Sequence, residues 1–139
     1  MPAIDPLPHE TATPAGLSPF RKLLHSFYFA FAGLGYLLRT QRNARIEVTL
    51  GAIACGVAAW LGIKAEQWAV LVFTIALVLI LEGLNTAIEA AVDLAMPQRH
   101  PLAKAAKDLA AGMVLIAAIA SIAIGLLILG PPLWHRLFH

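Results

Sequence analysis

The run Gln67-Trp-Ala-Val-Leu-Val-Phe-Thr-Ile-Ala-Leu-Val-Leu-Ile-Leu-Glu82-Gly-Leu-Asn85-Thr-Ala-Ile-Glu89-Ala-Ala-Val-Asp93-Leu-Ala-Met96 decides how this chain folds. Between Trp68 and Leu81 only Thr74 is polar, and Pro97 stops the run. A helix rises about 1.5 Å per residue, so this one is long enough to cross a hydrocarbon core about 30 Å thick. Its second half is not inert. Glu82, Asn85, Glu89 and Asp93 follow one another at spacings of three, four and four, which places them on one helical stripe. A carboxylate near the bilayer centre costs on the order of 2.5–3.5 kcal/mol on insertion scales, and less near the interface. Several acids on one face therefore need a reason. One is helix packing through buried hydrogen bonds; the other is a working site facing neighbouring helices, since one Asn suffices to fix a register whereas acids carry protons or metals.

Two further apolar runs flank this one. Ile46 to Ile63 carries small residues at Gly51, Ala52, Gly56, Ala58 and Ala59, and Asp108 to Leu129 is closed by Gly130, Pro131 and Pro132. Small residues let helices approach closely in a membrane. Lys64, Ala65 and Glu66 read as a tight polar connection, and Gln98 to Lys107 as a polar, basic loop. Upstream, Ser18 before Pro19 marks a helix start, and Phe20 to Leu38 mixes aromatics with Arg21, Lys22 and His25. Such a segment suits an amphipathic helix in the headgroup region; the alternative is a poor fourth span. The expected architecture is all-α: a tail without structure over 1–18, a surface helix over 19–40, spans at about 46–63, 67–96 and 108–129, and a short C-terminal tail over 131–139.

Composition agrees with a single membrane domain. Of 139 residues, 60% are hydrophobic and 13% charged, too apolar and too short for a multi-domain soluble protein. The lone Cys55 excludes an intrachain disulfide framework. A net charge of +2, with its cations beside apolar runs, gives no nucleic-acid footprint. Arg21, Lys22, Arg39, Arg42 and Arg45 before the first span, and Arg99, Lys104 and Lys107 after the second, fall on one side; Lys64 and Arg136 fall on the other. That asymmetry predicts a multi-pass protein with a cytoplasmic N-terminus and a cytoplasmic second loop.

The stripe assigns candidate roles. Glu82, deepest of the four, is the expected proton acceptor, and Asn85 can orient it or a phosphate. Glu89 can hold a divalent ion that bridges phosphates, because magnesium takes one or two carboxylates plus phosphate oxygens. Asp93 is closest to the interface and reads equally as a solvated residue or a cap on the basic loop. Lys107 and Asp108 are expected to open the last helix, where N–H groups and the helix dipole favour phosphate; the alternative for Lys107 is a plain interface anchor. His100 has no second histidine nearby and reads as a loop residue. There is no glycine-rich phosphate loop and no soluble-kinase signature.

The stretch Glu82 to Asp93, followed by His100-Pro-Leu-Ala-Lys-Ala-Ala-Lys107-Asp108, resembles the signature of the prokaryotic diacylglycerol kinase family, which includes the undecaprenol kinases. The Arg39 to Arg45 stretch and the helix around Phe27 to Tyr36 are similar to the same pattern, so the resemblance covers Phe20 to Leu129. It implies a homotrimer with sites shared between chains in a bacterial inner membrane. It also implies transfer of the ATP γ-phosphate to a lipid alcohol. By position, the resemblance makes Glu82 the general base, Asn85 its polar neighbour and Glu89 a magnesium ligand. Gln98, Arg99, His100, Lys107 and Asp108 match nucleotide-contacting positions, and Lys22 a basic position near the nucleotide.

The chain departs from the pattern at Gln41, where the family has a second metal-binding acid. An amide offers a carbonyl oxygen with less attraction for magnesium. Glu47 lies two turns further on, too far along the helix to replace it directly. The Arg42 to Arg45 segment and the Pro-Leu-Ala-Lys loop look more like the undecaprenol branch than the enteric diacylglycerol kinase. Readings from other classes are a non-catalytic oligomeric assembly protein held by the acidic stripe, or an ion-conducting oligomer.

Overall fold

The computed structural model describes residues 18–138. All but the last residue of the tail expected over 1–18 lies outside them. Among the described residues there are four helices and no strand: α1 (Pro19–Thr40), α2 (Arg42–Leu61), α3 (Ala65–Ala95) and α4 (Pro101–Phe138). Three of these, α2, α3 and α4, are long and apolar enough to cross a membrane. The chain divides after Tyr36 into two compact units.

The first unit carries most of α1. The Ser18 carbonyl accepts the Lys22 N–H at 3.1 Å, and Pro19 takes the first helical position, where its missing N–H costs nothing. Polar and apolar residues are segregated around α1 more sharply than around the other helices, as an amphipathic surface helix requires. His25 and Phe29 meet edge to face with ring centroids 4.7 Å apart. α1 is not among the helices able to span, so the fourth-span alternative falls away.

The second unit is an antiparallel bundle of α2, α3 and α4. α2 closes on Gly62, which adopts φ 65° and ψ 44°; this left-handed conformation strains any residue with a Cβ. Three residues later, at Ala65, α3 begins, and the Gln67 side chain accepts the Lys64 N–H at 3.0 Å. Glu66 thus belongs to the first turn of α3 rather than to the connection. Where α2 crosses α3, a Cβ added at Gly51 would lie 2.9 Å from Ile75 Cγ2, so the two backbones approach as closely as they do only because residue 51 is glycine. Below this point Ala58, Leu71 and Ile128 form the buried cluster, with Trp68 and Ile124 packed on it.

α4 departs from the sequence reading at both ends. It starts at Pro101, not Asp108. Pro101 occupies the first helical position and the His100 Nδ1 accepts the Leu102 N–H at 3.2 Å, capping the helix. The following Ala-rich stretch has high helix propensity, and Lys104 pairs with Asp108 one turn on. Lys107 and Asp108 therefore sit in the second turn, away from the exposed N–H groups at the start. At the other end the helix continues through Pro131 and Pro132 to Phe138. Each proline holds φ near −65°, a helical value, and removes one backbone hydrogen bond. The turns beyond are tied by the Trp134 and Phe138 rings, 4.4 Å apart, and by Arg136, whose guanidinium lies 5.2 Å above the Trp60 ring at the end of α2. The segment expected as a C-terminal tail is helix as far as residue 138.

Gly51→Val would force α2 away from Ile75, and overpacking of this kind costs about 1–3 kcal/mol. Unfolding of the reconstituted protein by detergent titration is expected to show that loss, with Gly56→Val, where a Cβ meets nothing within 4 Å, as the tolerated control.

Candidate active site

The Gly51 and Ile75 crossing sets the level of the acidic stripe. Seven residues along each helix toward the same end stand Ala44 on α2, 0% exposed, and Glu82 on α3, 2% exposed. Glu82 is the bulkiest side chain in the described residues that is buried this completely. The residue after it, Gly83, is approached by Leu37 at the end of α1: a Cβ there would stand 3.8 Å from Leu37 Cδ2. Glu82 thus lies at the level of the buried Ala44 of α2, next in sequence to a glycine packed near the buried Leu37, and its face of α3 turns inward.

Above Glu82 the stripe continues as expected. The Asn85 Nδ2 donates to Glu89 Oε1 at 3.3 Å, while Asn85 Oδ1 is buried with no partner. Thr86 donates to the Glu82 carbonyl at 3.0 Å. Glu89 stands two turns above Glu82 on the same stripe, and Glu47 lies on α2. Glu47 Oε2 is likewise buried without a partner. Periodicity within α2 makes Glu47 the cytoplasmic end of a span and a distant alternative to Gln41, whereas the structure places it on the wall of an inner cavity; its position three residues after Ala44 and four before Gly51, on the face α2 buries, is the signal in the sequence. Gln41 stands at the N-cap of α2 with extended backbone, its N–H donating to the Leu37 carbonyl at 2.8 Å.

Two cavities adjoin the stripe. One, of about 290 Å³, lies among α2, α3 and α4; Glu47 lines it beside apolar residues such as Leu71, Val78 and Ile122. The hydroxyl protons of Thr74 and Ser121 on its wall are spent on the carbonyls of Val70 and Ala118, and Glu47 is the acid on this wall, with Oε2 unpartnered. The other cavity, of about 590 Å³, is formed by the connection between α3 and α4. It gathers Gln98, Arg99, His100, Lys107 and Asp108, five residues singled out from the sequence, together with Asp93 and Lys104. Lys107 Nζ reaches Asp93 Oδ1 at 2.5 Å. Asp93 is therefore the ion-pair partner of the α4 lysine. Lys22 lies in the first turn of α1, exposed, in the first unit.

Among the described residues no three His, Cys, Asp or Glu side chains converge as a metal cage. Magnesium does not need one, because it is usually held by one or two carboxylates and by substrate phosphates. Glu89 and the orphaned Asn85 Oδ1 fit that limited demand with hard oxygen donors.

A bundle of helices able to span a membrane that carries a buried acid, a second acid beside an apolar cavity and a basic cavity at one end has room for both a lipid and a phosphate. The prokaryotic diacylglycerol kinase profile matches residues 28–129. The chain is 47% identical to a diacylglycerol kinase of Synechocystis sp. over 86% of its own length and 74% of the relative's. It is 41% identical to the undecaprenol kinase of Bacillus subtilis (81% and 91% covered) and 32% identical to the diacylglycerol kinase of Escherichia coli (74% and 84% covered). The chain belongs to the prokaryotic diacylglycerol kinase family and is a membrane lipid kinase.

In the Lys107 and Asp93 pair the lysine side chain is about a third exposed and the aspartate about two thirds, and exposed pairs contribute about 0–1 kcal/mol. Asp93→Asn is expected to leave the unfolding midpoint nearly unchanged; a loss beyond that range would make the pair a structural fastener of α3 to α4.

Proposed function

We propose that this protein transfers the γ-phosphate of ATP to the primary hydroxyl of a membrane lipid alcohol, diacylglycerol or undecaprenol, at the cytoplasmic face of a bacterial inner membrane. The observation that carries this reading is the continuity of the α3 stripe. From Asp93 in the basic cavity it descends through Glu89 and Asn85 to the buried Glu82, a span of about 16 Å at 1.5 Å per residue. One helix thus links a place suited to polyphosphate with a place suited to lipid.

Arg99 and Lys107, with the Gln98 and His100 side chains, would receive the nucleotide phosphates in the α3–α4 cavity. Glu89 and the Asn85 carbonyl oxygen would hold magnesium. When bound, the ion neutralises phosphate charge and shortens the approach of a nucleophile. The lipid hydroxyl would enter from the apolar side, where Glu47 offers a hydrogen-bond acceptor. Glu82 accepts the hydroxyl proton as the oxygen bonds to the γ-phosphorus; the bond from that phosphorus to the bridging oxygen breaks, and ADP leaves with its electron pair. Most of the catalysis is positioning and charge compensation. Much apolar surface on α2, α3 and α4 is left uncovered by the chain itself, to be met by lipid or by further copies, and the reading takes the chain as a homotrimer with site residues, Lys22 among them, contributed across chains.

The test is transfer of labelled γ-phosphate from MgATP to diacylglycerol and, separately, to undecaprenol by purified protein in lipid micelles. Glu82→Gln is expected to assemble normally and to lose turnover by about 10²–10⁴-fold, the range for a general base. Undiminished turnover in that variant would remove Glu82 from proton transfer, and product from neither lipid across a range of magnesium would overturn the reading.

Gln41→Glu restores the second acid. Half-maximal transfer in this variant is expected at lower magnesium than in the native chain, with little change at saturation; an unchanged magnesium dependence would take residue 41 out of the metal site.

A further inference from the structure

A third hollow, of about 340 Å³, lies on the outside of α2 and is lined by Arg42, Arg45, Ile46, Thr49 and Leu50. These spacings define one face of the helix, opposite the Ala44, Gly51 and Ala58 face that α2 buries. It shares no residue with the α3–α4 cavity. Both arginines are exposed, and neither has a carboxylate partner: the ion pairs among the described residues join Lys104 to Asp108 and Lys107 to Asp93. Thr49 spends its hydroxyl proton on the Arg45 carbonyl at 2.8 Å, which leaves the guanidinium groups as the donors of the hollow. One turn deeper, Ile46 and Leu50 are 44% and 59% exposed. The hollow is thus cationic at the helix end and apolar toward the middle of the span.

That order matches one class of ligand. A guanidinium fork pairs with phosphate oxygens in two parallel hydrogen bonds, and basic side chains at a membrane surface attract anionic lipid. A soluble anion would use the arginines and leave Ile46 and Leu50 idle. A lipid uses both. We propose that this hollow holds an anionic phospholipid of the bilayer, with its phosphodiester on Arg42 and Arg45 and an acyl chain along Ile46 and Leu50. The lipid is a resident of the protein surface and is not consumed, so its binding requires no phosphoryl transfer.

The full chain, reconstituted in phosphatidylcholine bilayers, is probed with spin-labelled phosphatidylglycerol and, in parallel, spin-labelled phosphatidylcholine. The motionally restricted fraction is expected to favour phosphatidylglycerol by roughly tenfold, as two interfacial arginines allow, and the preference should fall as salt is raised. Arg42→Gln with Arg45→Gln should abolish it, and Arg42→Lys with Arg45→Lys should keep most of it. Arg136→Gln, at the far end of the bundle, should leave it intact. Equal restriction of the two lipids by the native chain would overturn the site. So would a preference that survives the double Gln variant, which would place the lipid elsewhere, or complete displacement by inorganic phosphate, which would mark a free-anion site. Retained size and helicity of the double Gln variant separate loss of the site from loss of the fold.

Discussion

The close approach of α2 to α3 at Gly51 and Ile75 governs the rest of the bundle. Without a Cβ at residue 51 the helices meet backbone to side chain, and the antiparallel register is then fixed in both directions. Toward one end it leads to the Ala58, Leu71 and Ile128 cluster and the tight turn at Gly62. Toward the other it brings the smallest possible side-chain neighbour, Ala44, to the level of Glu82. A larger residue at either position would push α2 outward and open Glu82 to its surroundings. Burial of that acid is a consequence of small residues on the partner helix.

Such an arrangement sorts chemistry by depth. The α2–α3–α4 cavity has an apolar wall and one acid with an unsatisfied oxygen, Glu47. The α3–α4 cavity is lined by cations and short acids at the end of the helices. Asn85 and Glu89 stand between them, joined to each other by a hydrogen bond. Polar atoms left unpaired in a low-dielectric interior cost more than paired ones, so the orphaned oxygens of Glu47 and Asn85 are where a natural sequence departs from pure stability. One lies on α2 beside the apolar cavity and the other on the α3 stripe, which on the proposed reading is where a lipid and a nucleotide would meet.

Much of this was legible in the sequence, because the membrane simplifies the code: three long apolar runs give three helices, and acids three and four residues apart give a stripe. Helix ends were less legible. The Gln98 to Lys107 stretch looks like a loop by polarity, yet Pro101 and the His100 cap start the helix there, since an amphiphilic helix can project beyond the bilayer at little cost. Pro131 and Pro132 look like a stop, yet contacts beyond them, Arg136 on Trp60 above all, hold the extra turns. Glu47 was missed for a different reason. The cavity it lines is closed by residues of two other helices, and a register between helices depends on which small residue marks the crossing, something periodicity within one helix does not encode.

The basic cavity has a charge balance of its own. Lys107 is already paired with Asp93 and Lys104 with Asp108, while Arg99 has no ion-pair partner among the described residues. A phosphate arriving there meets one unpaired guanidinium and two lysines whose carboxylate partners it must displace. Exposed carboxylate pairs contribute little, whereas a polyphosphate carries more charge and more acceptor oxygens than either aspartate. On the proposed reading the exchange would run toward phosphate, and the aspartates would hold the lysine side chains near the cavity until it arrives. A monoanion gains much less from the same exchange. Selectivity for polyphosphate over single anions would then come from the competing acids as much as from the cations.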